Sequence, residues 1–347
     1  MVSMQTITTA DYHTAGEPFR IVTGGILVPA GATVLDRRSS AMALLDDVRA
    51  FLVNEPRGHA DMYGCFVTPP DDEGAAFGMV FFHKDGFSTA CGHGTIAGVT
   101  WAIDSGLVPA RSPTTELYVD VPSGRLAVSA SVSDDGRVGG VRFTNVAAWV
   151  SGTDVEVQAA GQKWMVDVSY GGAFYASVRA KDAGLSVVPG DLDTLIAIGR
   201  AIKRAMHEHP AVQHPDDPRL SGCYGTIWWE DAAPGASAVD PCDEVAALCQ
   251  RNVTIFADGE VDRSPCGSGT SARLALLHHH GRLPVGALLH HEGIVGTRFS
   301  GRVLAKDFGP GGRAAVITQV GGRAFATGRH EFVLDDRDEV GLGFQLR

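Results

Sequence analysis

Two halves of α+β class are what this sequence predicts. Three observations carry that expectation: many short strand-like segments, few helical ones, and an internal repeat that spans half the chain. The elements follow in order. Ile21 to Val28 reads as a strand closed by Pro29-Ala30-Gly31. Asp36 to Val53 reads as one helix, with Met42, Leu45, Val48 and Leu52 at helical spacing. Gly78 to His83 is an apolar strand that ends at the turn signal Asp85-Gly86. Leu126 to Val132 alternates, and Asp134-Asp135-Gly136 turns it into Gly140 to Val146. Asp191 is placed to cap a helix carrying Leu192, Leu195, Ile198 and Ile202. Val253 to Phe256 is a further strand before Asp258-Gly259. Intervening helices are too few for a doubly wound sheet.

Composition narrows the function classes. The 347 residues suit about two domains. At 44% hydrophobic and 20% charged they can bury a substantial core, which argues against a disordered, collagen-like or coiled-coil chain. The net charge of −11, with no block of Lys and Arg, makes nucleic acid and anionic membrane surfaces poor partners. No apolar run reaches membrane-spanning length. Met1-Val2-Ser3-Met4-Gln5 lacks the basic-then-apolar pattern of a signal peptide, so a cytoplasmic location is expected. Six cysteines, at 65, 91, 223, 242, 249 and 266, are too sparse for a disulfide framework and form no C-x2-C pair.

The repeat singles out two of them. Cys91-Gly92-His93-Gly94-Thr95-Ile96-Ala97 matches Cys266-Gly267-Ser268-Gly269-Thr270-Ser271-Ala272 at five of seven positions. At the same offset Gly106 aligns with Gly281 and Pro109 with Pro284, giving seven identities in twenty ungapped positions. Each copy follows an Asp-Gly turn, and each precedes a Ser-Gly-Arg step, at Ser123 to Arg125 and Ser300 to Arg302. In both copies a Cys stands at the mouth of an apolar helix that Gly106 or Gly281 would stop. A helix N-terminus offers unpaired N–H groups and a positive partial charge. It lowers a thiol's pKa and suits a carboxylate. The expected boundaries are 1–133 plus 320–347 for the half with Cys91, and 134–319 for the half with Cys266. Halves that close face to face would set the two thiols on opposite sides of one cleft. A carbon between them could lose a proton to one thiolate and gain one from the other thiol, inverting a stereocentre without a cofactor.

Other motifs read as structural. Gly92-x-Gly94-x-x-Ala97 and its copy lack the strand that should run straight into a dinucleotide-binding turn. Ser268 has no G-x-S-x-G spacing. His278-His279-His280 suits a helix C-terminus better than a metal, and no metal is expected. Met62-Tyr63-Gly64 and Trp228-Trp229 read as core or pocket wall. Cys65, Cys223, Cys242 and Cys249 have no Gly-rich helix mouth beside them and read as filler.

The chain resembles the proline racemase family, whose members include proline racemases, hydroxyproline 2-epimerases and trans-3-hydroxy-L-proline dehydratases. The matching segments are His13 to Pro18, Glu55 to His59, Asp61 to Gly64, Cys91 to Gly94, Tyr170 to Tyr175, Asp262 to Gly269 and Gly296 to Arg302. The resemblance implies two pseudo-symmetric α/β halves like those of diaminopimelate epimerase, with the active site in the cleft between them. It implies that Cys91 and Cys266 are the acid/base thiols and that the substrate carboxylate lies on backbone N–H groups at Gly92, His93, Gly267 and Ser268. Asp262 would hold the substrate amine. Ser268 stands where the family often has Thr. Glu55 to Gly64 and Tyr170 to Tyr175 look most like the dehydratase branch, but that branch usually carries Thr at the position of Cys266. A second thiol restores a proton donor on the far face. The expectation is therefore a cofactor-independent racemase or epimerase of proline or a hydroxyproline, with the dehydratase as the alternative. A non-catalytic imino-acid binding protein is the alternative from another class. The implied partner is a small-molecule substrate, with a homodimer as a possible assembly.

Overall fold

A computed structural model describes residues 6–232 and 247–346. Cys242 lies outside the described residues. Among them no helix is long and apolar enough to cross a membrane. The chain divides into two compact units. One is Met1–Val141 with Arg323–Arg347, the other Arg142–Gly322. The first division therefore falls inside the strand Val138–Thr144, beyond the turn at Asp134-Asp135-Gly136.

The first unit opens with a hairpin, Ile7–Thr14 against Glu17–Gly24, turned at Ala15-Gly16. The strand placed at Ile21 to Val28 thus begins and ends earlier. Its apolar continuation Ile26-Leu27-Val28 lies beyond the ladder, and Leu27 is exposed. The segment read as one helix is two: α1, Val34–Leu44, and α2, Asp46–Val53, joined at Leu45. Thr33 and Asp36 form a reciprocal capping box that starts α1, and the Asp46 and Asp47 carboxylates sit in the first turn of α2. Glu17–Gly24 pairs in parallel with Tyr63–Thr68, which turns back against Phe77–His83. Gly86–Phe87 adds a short strand before α3, Gly92–Asp104. Phe77–His83 then takes Thr114–Val121 in parallel, and Gly124–Val132 closes a second hairpin. Ala324–Phe332 returns along Ile7–Thr14. Phe51, Leu52, Phe66, Val80 and Phe82 fill the core between α1, α2 and the sheet.

The second unit runs through the same plan. Its hairpin is Gln162–Tyr170 against Phe174–Arg179. The helix α4, Leu192–Met206, follows. Phe174–Arg179 pairs in parallel with Cys223–Asp231, which turns against Leu248–Phe256. Glu260–Asp262 is the short strand before α5, Gly267–His279. Leu248–Phe256 takes Leu288–Gly293 in parallel, and Arg298–Phe308 closes the second hairpin. The repeat read from twenty residues is thus a repeat of topology across both units. The Ser-Gly-Arg steps are not equivalent within it. Ser123-Gly124-Arg125 enters a strand from its turn, whereas Ser300-Gly301-Arg302 lies inside Arg298–Phe308.

Helix α4 buries Leu195, Gly199, Ile202 and Met206 against the sheet. Asp191 stands at its N-cap, but the carboxylate caps nothing there. Its Oδ2 accepts instead from the Ser186 amide at 2.8 Å. Trp228 is fully buried and donates its indole N–H to Leu195 O at 3.0 Å, which ties α4 to the strand beneath.

Candidate active site

Cys91 is the N-cap of α3. Its backbone is extended (φ −151°), and Sγ accepts from the Gly94 amide at 3.3 Å. The thiol therefore takes the role usually given to a Ser or Asp oxygen at a helix start. Gly94 is required by this approach. A Cβ there would lie 2.7 Å from Sγ and 2.4 Å from the Phe19 ring. The His93 ring is buried and stands 3.4 Å (Nε2) from Sγ. Phe19 and Tyr63 hold it edge-on at centroid distances of 5.6 and 4.9 Å, and Thr14 Oγ1 donates to the His93 carbonyl at 2.9 Å. Hairpin residues Thr14 and Phe19 thus fix the first turn of α3. Gly106 ends this motif at φ +78°, its amide bonded to Ile103 O at 3.1 Å.

Cys266 is the N-cap of α5 and is built differently. Its φ is +61°, and Sγ makes no capping bond to the first turn. A side chain at positive φ costs about 1–3 kcal/mol unless its surroundings impose it. Here they do. Ser264 Oγ accepts from the Cys266 amide at 3.1 Å and donates to Asp262 Oδ1 at 2.7 Å, while the Ser264 amide donates to the same oxygen at 2.8 Å. Thr270 Oγ1 bonds the Pro265 carbonyl at 3.2 Å and His291 Nδ1 at 2.8 Å. Sγ lies 3.6 Å from the Tyr175 hydroxyl, which lies 2.7 Å from Ser268 Oγ. Ala173, Tyr175, Ile227 and Ala272 pack around the thiol. Gly281 stops α5 at φ +68°, as Gly106 stops α3.

The expected depression of the thiol's pKa at a helix mouth does not hold for Cys266. Burial pushes this thiol up, and the neighbouring Asp262 carboxylate pushes it further. The Tyr175 hydroxyl, the Thr254 hydroxyl and the Gly269 amide pull the other way without winning. Burial of the thiol and the carboxylate beside it set the direction.

Gly92 and Gly267 are the first residues of their helices, where N–H groups have no intrahelical acceptor. His93 and Ser268 follow them. In the first unit Gly92 and His93 are gathered at Cys91. In the second, Asp262, Gly267 and Ser268 are gathered at Cys266. The remaining described thiols behave as filler. Cys65 and Cys223 are buried, and burial pushes both up, Cys223 to about 11. Cys249 is half-buried on a strand. Among the described residues no group of three or more His, Cys, Asp or Glu side chains could hold a metal ion. His278 bonds Leu283 O at 3.1 Å and His280 meets Asp167 at 3.3 Å, as residues closing a helix end. A cavity of about 650 Å³ lies by that end of α5, between Trp149, Phe308, Arg313 and His279, with Cys266 at the other end of the helix. Sequence reasoning gave no role to Tyr175, Ser264 or Phe19. Tyr175 was part of a quoted segment, but nothing in its spacing pointed to the thiol.

A chain of two α+β repeats, each with a cysteine at the mouth of a buried helix, has relatives of known structure. A hydroxyproline epimerase from Agrobacterium vitis, solved with bound trans-4-hydroxy-L-proline, superposes with a TM-score of 0.89 at 30% identity, covering 100% of this chain and 97% of that one. In sequence, a trans-3-hydroxy-L-proline dehydratase from Bacillus cereus is 42% identical over 339 residues, 98% of each chain. A 3-hydroxyproline 2-epimerase from Burkholderia multivorans is 40% identical over 345 residues, 99% of each. The family profile described as proline racemase matches residues 9–345. The chain belongs to the proline racemase family and is an enzyme of the epimerase and dehydratase kind found there.

Proposed function

We propose that this enzyme inverts the α-carbon of a hydroxyproline or proline, with Cys91 and Cys266 as the two acid/base groups. The observation that carries the reading is the second thiol. Cys266 occupies the same place on α5 that Cys91 occupies on α3, at the N-cap of a buried helix. One thiolate removes the α-proton while the other thiol delivers its proton to the opposite face. The enzyme ends with the two protonation states exchanged, and no electron acceptor is needed. The carbanionic charge that develops beside the carboxylate would be met by the first-turn amides of Gly92, His93, Gly267 and Ser268. Asp262 would supply the counter-charge for the ring amine. The epimerase relatives that act on 3-hydroxyproline or hold 4-hydroxyproline support a ring bearing a hydroxyl.

Dehydration of trans-3-hydroxy-L-proline is the second reading, favoured by the names of several relatives at 38–42% identity. There one thiolate takes the α-proton, and the 3-hydroxyl, which lies on that same face of the ring, departs as water with the proton handed on by the thiol so formed. Incubation with L-proline, trans-4-hydroxy-L-proline and trans-3-hydroxy-L-proline in D2O separates the readings. Epimer carrying deuterium at Cα is the expected result. A pyrroline product with no epimer from any substrate would overturn the first reading in favour of the second.

A further inference from the structure

We infer that Tyr175 is a positioning residue that lets Cys266 change protonation state in a buried site, by a hydroxyl relay from Ser268. The inference rests on the acid/base reading of Cys266. Its basis is geometric: one phenol oxygen stands 3.6 Å from Cys266 Sγ and 2.7 Å from Ser268 Oγ. Tyr175 and Cys266 are both buried, and the Tyr175 ring is held against Tyr224, which stacks on Phe256. The hydroxyl is therefore fixed in place while its hydrogen can rotate.

Two hydrogen-bond arrangements of these three groups are complete. With Cys266 as thiol, S–H donates to Tyr175 Oη and the phenol O–H donates to Ser268 Oγ. With Cys266 as thiolate, the phenol O–H turns to donate to Sγ and the Ser268 hydroxyl donates to Oη. Only hydroxyl hydrogens rotate, and the proton lost or gained by sulfur is the one exchanged with substrate. The groups that face the thiol define why a relay is needed. Asp262, from Glu260–Asp262, opposes the thiolate. Thr254, from Leu248–Phe256, and the Gly269 amide of α5 favour it, together with Tyr175. Of these, Tyr175 has a second partner to which its hydrogen can be turned when the thiol is neutral.

The first-unit motif supplies the contrast. Cys91 takes its donor from a backbone amide, Gly94 N at 3.3 Å, which cannot rotate away. At Cys266 the sulfur has a partner that can rotate as well, the Tyr175 hydroxyl at 3.6 Å.

The test reads the thiol and not turnover. The free enzyme is treated with methyl methanethiolsulfonate between pH 6 and 10. Modification of Cys266 and Cys91 is followed separately by peptide mass spectrometry. Losing a hydrogen bond to a charged acceptor should raise the Cys266 pKa by about one to two units. The more basic thiolate is also more nucleophilic, which offsets part of the lost population. The net fall in Cys266 rate at pH 8 in Tyr175→Phe is then about three- to tenfold. The Cys91 rate should be unchanged. Ser268→Ala should slow Cys266 in the same sense but less, and it serves if Tyr175→Phe fails to fold by circular dichroism. An unchanged or faster Cys266 rate across the pH range in the folded variants would overturn the relay. If Cys266→Ser also abolished epimerisation, the acid/base reading would still stand. The two failures are therefore distinguishable.

Discussion

Replacing Gly94 by Ala tests how tightly Cys91 is seated. A Cβ at this position would stand 2.4 and 2.6 Å from the Phe19 ring and 2.7 Å from Cys91 Sγ. The ring has nowhere to go. It is fully buried and packed on Tyr63, Phe81 and His93 at centroid distances of 6.1, 6.3 and 5.6 Å. The thiol can move, by rotating about its Cα–Cβ bond away from the Gly94 amide. Overpacking by one methyl costs about 1–3 kcal/mol. Ala in place of Gly in a helix returns up to about 1 kcal/mol. The net loss is about 0–3 kcal/mol, a fall in Tm of up to several degrees at about 2–4 °C per kcal/mol for a unit of this size. Activity should fall further, because a displacement near 1 Å at a reacting group costs about 100-fold. Tm by differential scanning calorimetry and kcat/KM from Cα deuterium exchange make the comparison. Gly190→Ala, where a Cβ meets nothing within 4 Å, is the reference. A Gly94→Ala enzyme with the Tm and kcat/KM of the reference would refute both the seating of the thiol and its part in the reaction.

Three further outcomes are expected. Cys91→Ser and Cys266→Ser should each lower kcat/KM by orders of magnitude, because a hydroxyl is far less acidic than a thiol, whereas Cys249→Ser keeps its activity. Asp262→Asn should move two readouts in opposite senses. Substrate capture weakens about tenfold or more in kcat/KM as the amine loses its counter-charge, yet Cys266 becomes more reactive toward thiol reagents because the neighbouring anion is gone. His291 supplies a pH dependence. Burial, then the Arg273 charge, pull its imidazole down to about 3, while in the unfolded chain it titrates near the ordinary value of about 6.5. Its contribution is complete above that value and is lost as pH falls, because only the unfolded state takes up the proton. The slope is about 1.4 kcal/mol per pH unit between roughly pH 6 and pH 4, and urea unfolding at successive pH values should show it shrink in His291→Asn.

Local patterning made the duplicated motif legible, because everything that defines it is contiguous. Asp-Gly turn, short strand, Cys-Gly-x-Gly-Thr and helix-stopping Gly fall within about thirty residues of chain in each copy. The same patterning misplaced the first strand and fused α1 with α2. Hydrophobic spacing from Asp36 to Val53 is continuous, and the interruption at Leu45 comes from tertiary packing of both helices on Phe77–His83. Tyr175 was invisible for another reason. It reaches Cys266 from a strand 91 residues earlier, and only the parallel pairing of Phe174–Arg179 with Cys223–Asp231 carries it there. The raised pKa of Cys266 was equally hidden, since it depends on burial and on the folding of Asp262 against the helix mouth.

The two copies of the motif meet one structural demand in unlike ways, and the difference bears on the order of events. Cys91 is relaxed, with extended backbone and a thiol already paired to an amide. Cys266 is held at positive φ by the Asp262–Ser264 bonds, with an anion beside it and a hydroxyl at its sulfur. A reaction that inverts carbon needs one group deprotonated and the other protonated at the moment of binding. Burial and Asp262 assign the protonated state to Cys266, since a thiolate there would add a second negative charge to a dry site. On the proposed reading, Cys266 therefore enters the reaction as the acid. Giving up its proton leaves Cys266 as the thiolate. Reversal then depends on how well that thiolate is tolerated, and this is the state in which Tyr175 can turn its hydrogen toward sulfur. Sequence identity between the motifs gives the two thiols the same address on a helix. Their surroundings differ: a backbone amide stands at Cys91 Sγ, whereas the Asp262 carboxylate and the Tyr175 hydroxyl stand beside Cys266, so the two thiols are not interchangeable as acid and base.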